Sequence, residues 1–241
     1  MKTSSRLTGW VVGAVLLGSL VALGCGLRSF RIADFTFFTV LLTMALVASR
    51  LRIAMPGLEG SMSVNLPFIL IALAKLSFGE AILITLLSTL VQCLPRNGYK
   101  MRPVQFLFNT CNMVNATALA GVAFHQAGGL PAAAASLMVV PAAALFFVSD
   151  TIPVAIVIAA TEAAPFRGMA RNWREIFGLT FPYFVLSTGV ARIVIAASEY
   201  AGWCALGMLP IMYGVYRSYR AYWAGIEKSG QVNTRSADAS V

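Results

Sequence analysis

Residues 2–28 read KTSSRLTGWVVGAVLLGSLVALGCGLR. Two cations, Lys2 and Arg6, come first, then a long stretch without a charge, then Arg28. A helix of about 17 to 25 mainly apolar residues crosses the hydrocarbon core of a bilayer, so this stretch reads as a membrane span with a basic approach. The pattern recurs down the chain, at about 8–27, 33–49, 61–78, 81–95, 104–125, 131–161, 176–197 and 201–218, with each boundary good to about 2 to 4 residues. The fold it predicts is all-α, a polytopic transmembrane helix bundle of about eight spans (six to eight).

Composition agrees. With 59% hydrophobic and only 11% charged residues, and a mean hydropathy of +0.79, the 241-residue chain lacks the charge that the surface of a water-soluble domain needs. A net charge of +9 in a soluble protein would suggest nucleic acid. Here the cations sit beside spans, so no nucleic-acid partner is expected and the bilayer is. Cys25, Cys93, Cys111 and Cys204 are dispersed through apolar segments with no C-x-x-C pair, which indicates neither a zinc site nor a disulfide framework. No metal or cofactor is expected.

The cations also record orientation, because Lys and Arg resist translocation and collect in cytoplasmic loops. With the N-terminus inside, the inner gaps hold Lys2, Arg6, Arg50, Arg52, Arg96, Lys100, Arg102, Arg167, Arg171, Arg174, Arg217, Arg220, Lys228 and Arg235. The outer gaps hold only Arg28 and Arg31, which either join an outer charged layer or mark a first helix placed differently from the rest. Both termini are therefore expected in the cytoplasm, with a membrane domain over 1–225 and a short disordered tail over 226–241. The bacterial inner membrane is the expected location. Ala22-Leu23-Gly24-Cys25 faintly resembles a lipoprotein cleavage site, but the order around the cysteine fits poorly, and a retained first helix is preferred. Along that helix Ala14, Gly18, Ala22 and Gly26 recur every four residues, a spacing that lets backbones approach closely. It suits internal packing or a homo-oligomer through the first helix.

Two spans are irregular. The fourth is short and tied to the third by a tight turn at Phe78-Gly79-Glu80. The sixth, at about 46 Å, overshoots a core of about 30 Å and must tilt, kink or break, with Pro141 and Pro153 as the natural places. Asn65 and Pro67 either open the third helix toward a cavity or mark its start.

Polar groups inside a bilayer are costly, so each asks for a partner or a purpose. Topology sorts them into two layers. The outer one gathers Lys75, Glu80, His125, Arg192 and Glu199, either as a site for a small polar or anionic ligand or as snorkelling ends and ion pairs. In the inner one Gln105, Asn109 and Asn112 share a face of the fifth span, with Asn115 a turn further and Asp150 of the sixth span at similar depth, placed either to accept hydrogen bonds from those amides or to stay protonated, since burial disfavours the charged form. That layer is either glue between helices or a ligand or ion cavity. Tyr213, Tyr216, Tyr219, Tyr222 and Trp223, interleaved with Arg217 and Arg220, form an aromatic and basic belt suited to the membrane interface. No catalytic constellation occurs: there is one histidine and no H-E-x-x-H, G-x-S-x-G or P-loop, so no enzyme is expected and no catalytic residue is named.

Three segments together resemble a family: Ser61-Met62-Ser63-Val64-Asn65 leading to Phe78-Gly79-Glu80-Ala81, then Val104-Gln105-Phe106-Leu107-Phe108-Asn109, and last Leu209-Pro210-Ile211-Met212-Tyr213-Gly214-Val215-Tyr216-Arg217-Ser218-Tyr219-Arg220-Ala221-Tyr222. Their order is similar to the MASE-type N-terminal membrane sensor regions that precede HD-GYP or GGDEF domains in bacterial cyclic-di-GMP signalling. The resemblance covers most of 50–225 and implies a sensor of ligand or membrane state, with the Tyr and Arg segment as connector and Asn109 as a structural or binding position. Residues for nucleotide turnover are absent from this sequence. A more distant likeness, in short helices and small-residue packing, is to substrate-binding components of energy-coupling-factor transporters. The expectation is a stand-alone membrane sensor-like protein that binds a small molecule or partner within its bundle and relays to a cytoplasmic signalling partner; the alternative is a solute-binding or transport component. Candidate ligand-binding residues are Lys75, Glu80, Arg192, Glu199, Gln105, Asn109, Asn112 and Asp150.

Overall fold

Asp34 opens the second helix in the way its side chain dictates. A short carboxylate in extended backbone (φ −129°, ψ 94°) reaches back to accept the Phe37 N–H at 2.9 Å, satisfying a donor that the first turn leaves without a partner. Ser77 and Glu80 do the same for the fourth helix, as a full capping box. In the computed structural model, which describes residues 2–54, 61–95, 102–125, 136–161, 165–197 and 207–238, these caps frame a bundle of eight helices among the described residues. They are α1 (Lys2–Arg28), α2 (Phe35–Ser49), α3 (Leu66–Lys75), α4 (Phe78–Cys93), α5 (Pro103–His125), α6 (Val139–Thr161), α7 (Pro165–Ala197) and α8 (Met208–Asp238).

Between α2 and α3 runs a two-stranded antiparallel ribbon, β1 (Arg52–Ala54) with β2 (Ser61–Ser63), in the register Arg52 to Ser63 and Ala54 to Ser61. The third span was expected from about residue 61; the helix starts at Leu66 instead. Pro67 explains the shift, since inside a longer helix its ring would clash with the Ser63 carbonyl and it offers no N–H, whereas in a first turn neither matters. Asn65 and Pro67 are thus the start of the helix. At ten residues α3 is about 15 Å long, half a hydrocarbon core. It lies at the centre: Val64 through Leu73 are all buried, and the helix packs against α2, α4, α5, α6 and α7.

Around it, α5 packs against α1, α4 and α6, and α6 against α7. Phe147 of α6 is ringed by Phe177 and Phe184 of α7 at centroid distances of 5.5 and 4.7 Å, in the edge-on and tilted arrangements that aromatic quadrupoles favour. Of the long sixth span, Val139–Thr161 is one helix with Pro153 inside it, preceded by a turn at Met138; its start over 131–135 lies outside the described residues. α8 joins the core through buried Met208 and Met212 and through Tyr219, set edge-on to Tyr183 at 6.3 Å; it continues to Asp238, into the segment read from sequence as a tail.

Among the described residues three helices are long and apolar enough to cross a membrane, Thr8–Arg28, Val139–Ala160 and Thr180–Ala197, and α2, α3 and α4 are shorter apolar helices. Leu17, Leu20, Val21 and Leu27 on α1 and Ile193 on α7 are each more than 60% exposed, an apolar exterior that suits lipid rather than water. This is a helical membrane bundle.

Three of the four small residues of the α1 stripe, Gly18, Ala22 and Gly26, face inward. A Cβ on Gly18 would meet the Asn115 side chain at 3.1 Å and one on Gly26 would meet Ile82 at 3.4 Å, while Ala22 is buried. The stripe is thus used for internal packing against α4 and α5, and Ala14, at its start, is exposed.

Candidate functional site

The end of the bundle where α3 finishes and α4 begins is held by one serine. Ser77 Oγ donates to Glu80 Oε2 at 2.7 Å, the Ser77 N–H donates to the same oxygen at 2.8 Å, and the Arg31 N–H reaches Ser77 Oγ at 3.4 Å. That last contact ties the α1–α2 connection to the α3–α4 turn. Close approach makes it feasible, because Gly79 lies where any side chain would run into the Gly26 carbonyl oxygen and the Phe30 backbone.

A cleft of about 500 Å³ opens here. Its charged lining is Arg31, Asp34, Lys75 and Glu80, with Ser77 among them and the apolar side Phe37 and Leu76. The four charges are unequally committed. Asp34 caps α2, and Glu80 spends Oε2 on the capping box. Glu80 is 1% exposed, yet its other oxygen, Oε1, is buried without a hydrogen-bond partner among the described residues. Neither the Arg31 guanidinium nor the Lys75 ammonium pairs with an acid among the described residues. A volume of this size is in the range of small-molecule sites.

A second polar group lies inside the bundle. Asn112 Nδ2 donates both to the Asp150 backbone carbonyl and to Asp150 Oδ1, each at 2.8 Å, joining α5 to α6. Asn112 is 1% exposed and its Oδ1 has no partner among the described residues. One turn on, Asn115 Nδ2 donates to the Val15 carbonyl of α1 at 2.8 Å. Thr85 and Thr117 join α4 to α5 at 3.0 Å, and Asn65 Nδ2 donates to Ser88 Oγ at 3.2 Å between the start of α3 and the middle of α4. Each such pair spares a polar group from facing hydrocarbon alone.

A family model, MASE9, matches residues 22–219, which is most of the chain. The chain belongs to the MASE9 family. MASE9 is a MASE-type family of membrane-associated sensor regions, so the resemblance seen in the sequence holds over residues 22–219. No curated protein and no solved structure matches the chain significantly.

Within the MASE9 bundle, Lys75 and Glu80 of the expected outer layer come together in the cleft, and Arg31 joins them. Arg192 is exposed on α7 and is not part of the cleft lining. Glu199 and the side chain of His125 lie outside the described residues. Of the inner layer, Asn112 and Asp150 meet; Gln105 sits apart at the start of α5, where its Oε1 accepts the Arg102 N–H at 3.3 Å, and Asn109 is half-buried. Sequence reasoning missed Asp34 and Ser77. Both carry readable signals, since Asp34 immediately precedes an apolar run and Ser77-x-x-Glu80 is the capping-box spacing. Among the described residues no three His, Cys, Asp or Glu side chains gather as a metal site would need.

Proposed function

We propose that this MASE9 bundle is a multi-pass sensor of the bacterial inner membrane, without catalytic activity of its own, that binds a small molecule in the cleft at its Ser77 end and relays occupancy to the opposite end. The observation that supports it is the cleft itself, which combines two cations unpaired among the described residues with a buried carboxylate that has one oxygen unpartnered among them. In this reading the Ser77 end faces away from the cytoplasm, and Arg50, Arg102, Arg171 and Arg174 lie at the cytoplasmic end, as the positive-inside rule requires.

The relay needs elements that touch both ends. α2 begins at the cleft with Asp34 and finishes at Arg50, whose guanidinium donates to the Val91 carbonyl near the far end of α4 at 3.4 Å. Both α2 and β1 pack against α8, the helix that carries Tyr216, Arg217, Tyr219 and Arg220. A ligand that shifts the α2 start is thereby coupled to the segment that meets a cytoplasmic signalling partner, in the cyclic-di-GMP sense implied by the resemblance.

The test uses the protein in lipid nanodiscs and a panel of soluble metabolites. A ligand read through the cleft raises the unfolding midpoint of the wild type but not of Lys75→Gln, and changes amide exchange in α8. A panel yielding no Lys75-dependent shift would sink the reading. Accumulation of a hit inside proteoliposomes, abolished by substituting Lys75 and Arg192, would favour a solute-binding or transport component instead.

A further inference from the structure

The cleft constrains what it can hold through the groups left over once the fold has used its share. Asp34 and Glu80 Oε2 are spent on helix caps, where the partial positive charge of two helix starts balances them. What remains is Arg31, Lys75 and Glu80 Oε1. The first two are seats for an oxyanion, since a guanidinium and an ammonium offer charge-assisted donors with no acceptor among the described side chains. The third is a buried acceptor without a donor among the described residues, a state that costs free energy until a hydrogen-bond donor arrives.

A simple anion would satisfy the cations and leave Oε1 orphaned. A simple cation would satisfy Oε1 and be repelled by Arg31 and Lys75. Resting on the sensor reading above, we propose that the ligand of the cleft is a zwitterion: an oxyanion held by Arg31 and Lys75, and a primary ammonium group that donates to Glu80. The ammonium must carry hydrogens, because a quaternary one cannot supply the missing donor. Two sources share this chemistry, a free amino acid and the phosphate and ammonium of a phosphatidylethanolamine headgroup, since the cleft lies at one end of a bundle whose exterior is apolar.

The experiment reads the unfolding midpoint of the full chain in nanodiscs. In phosphatidylcholine discs, L-amino acids are added against three controls: glycine betaine, acetate and methylammonium. Separately, phosphatidylethanolamine replaces phosphatidylcholine of the same acyl chains, with phosphatidylglycerol as the anionic control. A saturable rise with amino acids alone identifies a free zwitterion; a rise with phosphatidylethanolamine alone identifies the headgroup. In either case Lys75→Gln and Arg31→Gln, both at exposed positions, weaken the apparent affinity about tenfold or more, as loss of a charge-assisted hydrogen bond does. Glu80→Gln retains the capping box, because glutamine serves at that position, and removes the charge that holds the ammonium. The proposal is overturned if acetate or phosphatidylglycerol stabilises as well as the zwitterion, if betaine equals the amino acids, or if neither arm moves the midpoint. A different metabolite whose shift needs Lys75 would overturn the zwitterion and leave the sensor reading standing.

Discussion

At the scale of single residues, the tightest constraint is at Gly79. A Cβ there meets backbone atoms of α1 and its following turn, which cannot rotate away, whereas one on Gly121 would meet the ring of Phe78 and the tip of Leu73 at 2.8 and 3.1 Å. Gly79→Ala is therefore expected to cost about 1 to 3 kcal/mol, and Gly121→Ala less, in thermal or denaturant unfolding of the detergent-solubilised protein. The reverse order would show that α1 and α4 are not in contact. The Asn112–Asp150 pair gives a second measurement. Asn112→Ala leaves a carboxylate without its donor, while Asp150→Ala leaves Nδ2 still able to reach the backbone carbonyl, so the first should destabilise more. The coupling in a double-mutant cycle is expected at about 1 kcal/mol, within the range known for polar pairs in membrane bundles. That pair was legible from sequence, because depth along two antiparallel helices brings positions 112 and 150 to one level. Arg31 was visible only as an anomaly in the charge pattern. That one oxygen of Glu80 is left unsatisfied among the described residues could not be read at all, since it depends on side-chain geometry where the turn after α1 meets the α3–α4 turn.

Among the elements, α3 departs most from a simple reading of hydropathy. The apolar run over 61–78 is long enough for a span, and hydropathy alone does not distinguish a buried half-length helix from one that crosses fully. The decisive signal is conformational: Pro67 fixes where the helix starts, and the residues before it pair as a ribbon. The α4 start was better marked, by Ser77 and Glu80 at capping-box spacing. Ser77→Ala removes the cap, a hydrogen bond to Glu80 and the acceptor for the Arg31 N–H together. It is expected to lower stability by about 1 to 2 kcal/mol and to loosen the cleft, seen as faster amide exchange at residues 78–81 and 31–34. Protection that is unchanged there would mean the box is not what holds that end together. The aromatic seam between α6 and α7 was not foreseen, because the apolar residues of a membrane helix do not reveal which of its faces meets another helix and which meets lipid.

For the molecule as a whole, the charge pattern and the apolar runs made the bundle legible, and the family match over residues 22–219 agrees with it. What sequence could not supply was the order of packing around α3, which is set by many small fits rather than by any one residue. One consequence follows from how α2 is fastened. Its first turn is clamped by Asp34 at the cleft, its last is anchored through Arg50 to α4, and its fifteen residues make a rod of about 22 Å. Such a strut transmits angle as well as displacement: each added residue turns its far end by about 100° and lengthens it by about 1.5 Å. Inserting one alanine at the middle of α2 should therefore leave ligand affinity at the cleft nearly intact while disconnecting it from α8, so that binding persists and the exchange response in α8 vanishes. If affinity and response fall together, the signal travels by another route. If binding persists while the response vanishes, phase along a single short helix, more than the strength of any contact, decides whether a filled cleft is felt at the far end of the bundle.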